Sequence, residues 1–369
     1  MSKKTSVGFY PDVPMLFLTL TLVCIGLLMV FSSTTIESLK AGDPFLYFKK
    51  QMIYVILGFG AMVFAMRFDH RRYREWVGII LGAAFLLLLV LFIPHVGRTA
   101  GGATRWIDLG PVSFQPSEFA KLALVIYMAD FMARKKELIF DFVKGILPVL
   151  LVVGAACVLV LKQPDLGTVL VMFGSFFIML YLAGARLSHL AALASCSAAG
   201  VFLLSILSPY RWKRIAAFID PWQDPRGIGF HIIQSLIAVG SGGLFGFGLG
   251  NSRQKFLYLP EQYTDFIFAV FCEEWGFVGA LVLIGLFIAF ISRGLRICRN
   301  APDKFSYLLA GGLISGLALQ AVINMGVVVG IVPTTGIPLP FISYGGTSLV
   351  VSLYSVGILL NISSQKVKK

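Results

Sequence analysis

PMLFLTLTLVCIGLLMVFSS, residues 14–33, runs for twenty residues without an ionisable side chain. At 1.5 Å per residue that is the helix length needed to cross the roughly 30 Å hydrocarbon core of a bilayer. Nine further runs of spanning length fall near 48–66, 76–94, 117–133, 144–161, 165–183, 188–207, 266–291, 306–330 and 340–361. No small-residue cleavage pattern separates the first run from the second, so it is expected to stay as a helix and not to be removed as a signal peptide. Composition points the same way: of 369 residues 57% are hydrophobic and 13% charged, about half the charged share of a soluble domain. The expected fold is all-α, a single polytopic membrane domain over 1–369 with about ten transmembrane helices. A large extracytoplasmic loop, 208–264, lies between spans seven and eight.

Charge supplies the orientation. A net charge of +13 would suggest nucleic acid in a soluble protein, but here the charge is sorted by membrane side and no nucleic-acid partner is expected. With a cytoplasmic N-terminus, the cytoplasmic connections are MSKK, RFDHRRYREW, ARKKELIFDFVK, AGARLSHL, SRGLRICRNAPDKF and SSQKVKK, which hold 18 of the 31 Lys and Arg. Both termini are therefore expected in the cytoplasm. Lys49 and Lys50 run against the trend, at an outer helix start from which they can snorkel into headgroups.

Redox and zinc chemistry are not expected. Cys24, Cys157, Cys196, Cys272 and Cys298 are scattered through apolar stretches without a CxxC pair, and His70, His95, His189 and His231 form no HxxxH pair. The glycine-rich GSGGLFGFGLG (240–250) lacks the GK[ST] ending of a phosphate-binding loop. Two outer loops exceed mere connectors: HVGRTAGGATRWIDLGPVSFQPSE (95–118) and the stretch after Ser208, whose opening SPYRWKRIAAFIDPWQD mixes basic and aromatic residues like a segment lying in the headgroup layer.

An ionisable group inside a span costs at least about 2.5–3.5 kcal/mol at the bilayer centre, so each one asks for a partner or a task. Glu118 and Lys121 open the fourth span three residues apart, on one helical face, as an ion pair; Asp130 lies near that span's cytoplasmic end. LKQPDLG (161–167) breaks two apolar helices at Pro164 and reads either as a hairpin lining a cavity or as a solvated turn. QKFLYLPEQYTDFIFAVFCEEWGFVG (254–279) gathers Glu261, Asp265, Glu273 and Glu274 around the start of span eight. Thr264 or Asp265 would cap that helix, while an intramembrane acid also invites a functional role. On an ideal helix Glu273 lies about 80° from Asp265 and Glu274 on the side opposite Asp265, so the two cannot share one role and are expected to hold neighbouring helices. INMGVVVGIVPTTGIPLPFISYGGTSLV (323–350), broken by Pro333, Pro338 and Pro340, should line the same outer cavity, because irregular backbone at membrane depth needs protein or water around it.

Four segments in order, FQPSEFAKLA, QPDLGT, GNSRQKFLYLPEQYTDFIFAVFCEEWG and PTTGIPLPFISYGGTSL, resemble the SEDS (shape, elongation, division and sporulation) family over essentially the whole chain. The third and fourth resemble the division branch and its sporulation relative more than the elongation branch, although Tyr263 stands where the division branch carries His. The resemblance implies a peptidoglycan glycosyltransferase that polymerises lipid II at the outer face of the cytoplasmic membrane, at the septum. It also implies a class B penicillin-binding protein and other divisome membrane proteins as partners. It places the essential acid on Asp265 and the family's motif residues on Arg105, Trp106, Gln115, Ser117, Glu118, Lys121, Gln163 and Asp165. Lys255, Glu261, Ser343 and Tyr344 join them as expected cavity-lining, substrate-binding residues.

The chemistry suits those residues. A lipid pyrophosphate leaving group calls for a base at the acceptor hydroxyl and positive charge at the departing phosphates. Asp265 can supply the first; Lys121, Arg105 and the basic loop at Arg211, Lys213 and Arg214 can supply the second. One inverting displacement needs a single carboxylate. A divalent cation, Mg or Mn, is compatible with carboxylates near a pyrophosphate but not required by them, and no other cofactor is expected. The alternatives are a lipid II flippase, an elongation- or sporulation-type polymerase and a non-catalytic division scaffold. Clustering of the costly charges in the outer half favours the enzyme over the flippase.

The orientation is checked by cysteine accessibility. A hydrophilic thiol probe added from outside should label Gln223→Cys and not Arg72→Cys; the reverse pattern would overturn the assignment.

Overall fold

The computed structural model describes residues 11–93, 97–100, 103–108, 110, 112–206, 209–227, 229–254 and 262–365. Its long helices are α1 (Val13–Lys40), α2 (Leu46–Arg67), α3 (Tyr73–Val90), α4 (Pro116–Arg134), α5 (Leu147–Lys162), α6 (Leu166–Ala183) and α7 (Leu187–Ile206). After two shorter ones, α8 (Pro209–Ile219) and α9 (Phe230–Ser241), follow α10 (Ile267–Arg299), α11 (Lys304–Val328) and α12 (Gly346–Ser364). Among the described residues eight helices are long and apolar enough to cross a membrane. The two remaining expected spans, 117–133 and 188–207, fall on α4, of 19 residues, and α7, of 20 residues, which are not among these eight. α4 packs against α3, α6 and α11, and its Glu118, Lys121 and Asp130 side chains are buried or nearly so, while that of Arg134 is 57% exposed.

Burial orders the bundle. The most apolar windows of α12 and α11 are 72% and 67% buried within the protein, against 22% for α3 and α10. In lipid, apolar exposure carries no penalty, so the residues that must be buried are the small and polar ones. That is what α11 and α12 hide: Ser306, Ser315, Gln320, Asn324, Ser348, Ser352 and Asn361 are all buried. At the end of the bundle where the chain starts, Asp12 caps α1 through Met15 N (3.1 Å), accepts from Arg293 Nε (2.8 Å) and donates its own N–H to Ser363 Oγ (3.0 Å), joining the ends of α1, α10 and α12. His70, fully buried, bridges Asn361 Oδ1 (2.7 Å) and Ser306 Oγ (2.6 Å) at the same end.

At the opposite end the first long loop is not irregular throughout. It holds a three-stranded antiparallel sheet of β1 (Gly97–Ala100), β2 (Ala103–Asp108) and β3 (Ser113–Phe114). Tyr54 of α2 pins β3 by accepting from Ser113 N at 2.7 Å.

Nor is 208–264 a plain surface loop. α8 exposes Trp212 and Ile219 and buries Ala217, while α9 packs against α10 and α11, with Ser235 Oγ donating to Val328 O (2.8 Å). The glycine-rich stretch then runs along α10 at a point where that helix is broken. Gly276 adopts φ 66°, ψ −167°, and four backbone bonds cross the gap: Phe247 N to Glu273 O (3.0 Å), Gly248 N to Glu274 O (3.0 Å), Phe277 N to Gly243 O (2.9 Å) and Val278 N to Leu244 O (3.1 Å). Peptide groups released by the break are thus satisfied within the protein, the condition for non-helical backbone at this depth. Nothing in the apolar run 266–291 signals the break, which separates Glu273 and Glu274 from most of α10. Glu273 accepts from Ser252 Oγ, Arg253 N (2.9 Å) and Gln254 N (3.3 Å); Glu274 accepts from Ser32 Oγ on α1 (2.5 Å). The two acids serve different partners as expected, but only Glu274 holds a neighbouring helix; Glu273 holds the non-helical stretch 252–254.

A Cβ at Gly276 would lie 2.4 Å from the main-chain nitrogen of Gly246, and the backbone there is in a region essentially reserved for glycine. Gly276→Ala should therefore destabilise by about 1–3 kcal/mol or more, seen as a lowered thermal-unfolding midpoint in detergent. Gly285→Ala on the same helix, where an added Cβ meets nothing within 4 Å, should not lower it.

Candidate active site

Asp265 lies in a tight turn, 262–266, just before α10, whose N-cap is Phe266. The expectation that Thr264 or Asp265 occupies the cap is corrected: the helix begins two residues after Asp265. The turn is gripped from two directions. Asn324 on α11 donates through Nδ2 to Asp265 O (2.8 Å) and to Ile337 O (2.7 Å). Ser343 donates through Oγ to Thr264 O (2.6 Å) while accepting from Leu339 N (2.7 Å), and Tyr344 N donates to Tyr263 O (2.8 Å). The proline-broken segment 333–345 therefore wraps the Asp265 turn, as its irregular backbone required. Gly336, with φ +74°, comes so close that an added Cβ would sit 3.4 Å from Asp265 Oδ2.

One turn from Asn324 on the same face, Gln320 repeats the device. Its Nε2 donates to Pro338 O (3.1 Å) and Ser348 Oγ (3.3 Å), and its Oε1 accepts from Lys121 Nζ (3.1 Å). Lys121 in turn pairs with Glu118 Oε1 at 2.8 Å, with the Glu118 and Lys121 side chains only 3% and 13% exposed. With Gln320 this pair lines a cavity of about 50 Å³ between α4, α6, α11 and α12, whose other walls are largely apolar apart from Ser175, Ser352 and Ser355. The pair thus sits where Coulomb attraction is strong and an unpaired charge is costly.

The other expected residues gather beside this group. Asp165 is buried and caps α6, accepting from Thr168 N (3.0 Å) and Thr168 Oγ1 (2.8 Å), with Gln115 Nε2 at 3.5 Å; the solvated-turn alternative is replaced by a buried cap. Gln163 donates to Leu88 O (3.2 Å). Arg105 on β2 clips the hairpin, donating from Nε to Gln163 O (3.0 Å) and from Nη2 to Pro164 O. A guanidinium has five N–H groups, so three are left over for an anion. Gln115 N donates to Thr347 Oγ1 (3.0 Å) at the start of α12, and an added Cβ on Gly167 would meet Thr335 O at 2.6 Å, so the α6 start packs on 335–337. Ser117 is buried, its Oγ without a hydrogen-bond partner among the described residues, and Trp106 pairs with Arg98 across β1 and β2. Lys255, Glu261 and the side chains of Arg211 and Arg214 lie outside the described residues. Among the described residues no three His, Cys, Asp or Glu side chains gather to hold a metal ion.

Gln320 and Asn324 were missed in the sequence. The signal was present in LALQAVINMG, two amides at i and i+4 in an apolar span, but a search for ionisable groups passes over amides. The coupling of Glu118 to Lys121 is measurable in a double-mutant cycle on the rate of the polymerisation that the resemblance implies. Glu118→Gln and Lys121→Met should each impair the rate, and the double variant should fall short of their sum by about 0.5–3 kcal/mol; strict additivity would reject the coupling.

Residues 13–368 match the model of the FtsW, RodA and SpoVE family, described as cell cycle proteins. The chain is 46% identical over 363 residues to stage V sporulation protein E of Bacillus subtilis, covering 98% of each chain. It is 43% identical to the probable peptidoglycan glycosyltransferase FtsW of Geobacter sp., covering 96% of this chain and 97% of that one. Among solved structures it is similar to a chain of a peptidoglycan synthase complex that coordinates polymerization and crosslinking (TM-score 0.79, 29% identity, 97% of this chain and 99% of that one). It is also similar to the rod shape determining protein RodA of Thermus thermophilus (TM-score 0.73, 29% identity, 98% and 99%). With the match running from the first turn of α1 to beyond the end of α12, this chain belongs to the FtsW, RodA and SpoVE family of polytopic membrane proteins.

Proposed function

We propose that this chain is an inverting peptidoglycan glycosyltransferase that polymerises lipid II into glycan strands during septal cell-wall synthesis, with Asp265 as general base. The observation that carries the proposal is the grip on the Asp265 turn: Asn324, Ser343 and Tyr344 fix its backbone outside any helix, in the manner of a preorganised catalytic group. In the reaction the acceptor sugar oxygen bonds to the anomeric carbon of the donor as the bond from that carbon to the pyrophosphate oxygen breaks. The acceptor proton passes to the Asp265 carboxylate. The charge left on the pyrophosphate is met by cationic N–H groups, for which Lys121 and Arg105 each have donors beyond those already engaged.

The relatives named as glycosyltransferases and the likeness to a synthase complex support the reaction class. A complex that coordinates polymerization with crosslinking supports a crosslinking partner for this chain, which we take to be the class B penicillin-binding protein that the resemblance implies, along with other divisome membrane proteins. The basic connections support an orientation in the bacterial inner membrane with both termini in the cytoplasm and Asp265 toward the outer face. A second reading, a sporulation-type polymerase with the same chemistry, is favoured by the 46% identity to the Bacillus subtilis sporulation protein.

Asp265→Asn keeps size and shape but cannot take a proton. The purified variant should fold and bind its transpeptidase partner normally, yet polymerise lipid II about 10²–10⁴-fold more slowly. Near-wild-type polymerisation by a folded variant would reject the base and return the flippase to consideration.

A further inference from the structure

At the mouth of the site three tyrosine rings meet. Tyr47 comes from the first turn of α2, Tyr263 from the Asp265 turn and Tyr344 from the segment that wraps it. Their centroids form a near-equilateral triangle of 5.4, 5.5 and 5.7 Å, with interplanar angles of 44°, 77° and 76°. Aromatic rings at these separations attract one another, so core packing is the plain explanation to weigh first. Two features go beyond packing. All three residues are only half-buried, although each comes from a different chain segment. Their position is also set by the same bonds that hold the acid: Tyr344 N donates to Tyr263 O, and Ser343 Oγ donates to Thr264 O. Only Thr264 separates Tyr263 from Asp265, a span of at most about 7 Å between their α-carbons.

We infer that Tyr47, Tyr263 and Tyr344 form a saccharide-binding platform beside Asp265, taking the apolar face of one pyranose ring of the substrate; this rests on the glycosyltransferase reading above. A pyranose presents C–H groups on its faces and hydroxyls around its edge. An aromatic face, negative above the ring plane, attracts the former, and a tyrosine hydroxyl or a nearby polar group takes the latter. The reaction needs such a device. An acceptor hydroxyl has to be held about 3–3.5 Å from the anomeric carbon, and a flexible saccharide on a lipid tether does not hold itself there. A platform of rings locked to the Asp265 turn orients the sugar in the frame of the base. The ring could belong to lipid-linked saccharide or to the glycan strand, two sources with the same chemistry.

Tyr47 gives the clean test, because α2 carries it independently of the turn. The full-length protein is reconstituted in proteoliposomes, and steady-state polymerisation of lipid II is measured for wild type, Tyr47→Phe, Tyr47→Trp and Tyr47→Leu. Binding of a lipid-free peptidoglycan tetrasaccharide is read separately by saturation transfer from protonated tyrosines in an otherwise deuterated protein. Tyr47→Leu should raise KM for lipid II, or weaken tetrasaccharide binding, by about 2- to 10-fold with kcat within about twofold of wild type, while Phe and Trp stay near wild type. A shifted KM with unchanged tetrasaccharide binding assigns the platform to the lipid-linked sugar, and the reverse assigns it to the strand. Unchanged KM and unchanged binding in a folded Tyr47→Leu protein overturn the platform, as does loss of kcat alone. If the Leu variant does not fold, absence of saturation transfer from tyrosine to sugar in the wild type overturns it instead. A wild type that binds the sugar through these rings but makes no glycan would contradict the glycosyltransferase reading and leave the platform standing.

Discussion

The arrangement depends on one constraint: peptide groups at membrane depth that are not in a helix must find partners inside the protein. At the Asp265 end two stretches break this way, the turn 262–266 and the segment 333–345, and a single amide serves both. Asn324 donates to the carbonyls of Asp265 and Ile337, and Gln320, four residues earlier, donates to that of Pro338. An unsatisfied buried carbonyl costs about 1–3 kcal/mol, so each bond is worth more for what it prevents than for its own strength. α11 is well suited to carry them, because it is among the most enclosed helices of the bundle. Through Gln320 and Lys121 the same ladder reaches Glu118 on α4. The acid and the ion pair are therefore parts of one hydrogen-bonded frame.

The same constraint explains the glycine-rich stretch. α10 breaks at Gly276, and 243–248 supplies the missing backbone partners. Side chains would keep the two strands of chain apart: a Cβ on Gly242 would lie 2.1 Å from Cys272 O, and one on Gly246 would lie 2.2 Å from Glu274 O. Below the break Glu273 holds 252–254 and Glu274 holds α1. The start of α10, and with it the turn ahead of it, is thus secured from both flanks by acids that take no part in the proposed chemistry.

What the sequence disclosed follows from range. The Glu118–Lys121 pair was legible because helix geometry brings i and i+3 together whatever surrounds them. That Glu273 and Glu274 serve different partners was legible from helix geometry too, since consecutive residues lie about 100° apart. The cap at Thr264 or Asp265 failed because helix entry here is set by Asn324 and Ser343, 59 and 79 positions away in the chain. The partner of GSGGLFGFGLG was hidden for a like reason: a glycine-rich run signals close approach but not what approaches. The three strands of 97–114 are short and carry no sustained alternation, so the loop composition outweighed them. Asn324 and Gln320 were readable in principle, since a primary amide inside an apolar span asks for a partner as a charge does, though less loudly.

The frame stands or falls on Asn324 holding Asp265, the proposed general base, in place without touching the reacting atoms. Its most direct test is the rate of glycan-strand formation from purified lipid II by reconstituted Asn324→Leu protein, compared with wild type at matched folded fraction. The account predicts a loss of at least about tenfold in kcat with KM for lipid II little changed, since the substitution removes both donors but leaves the substrate surface intact. A folded Asn324→Leu protein that polymerises at the wild-type rate would contradict it.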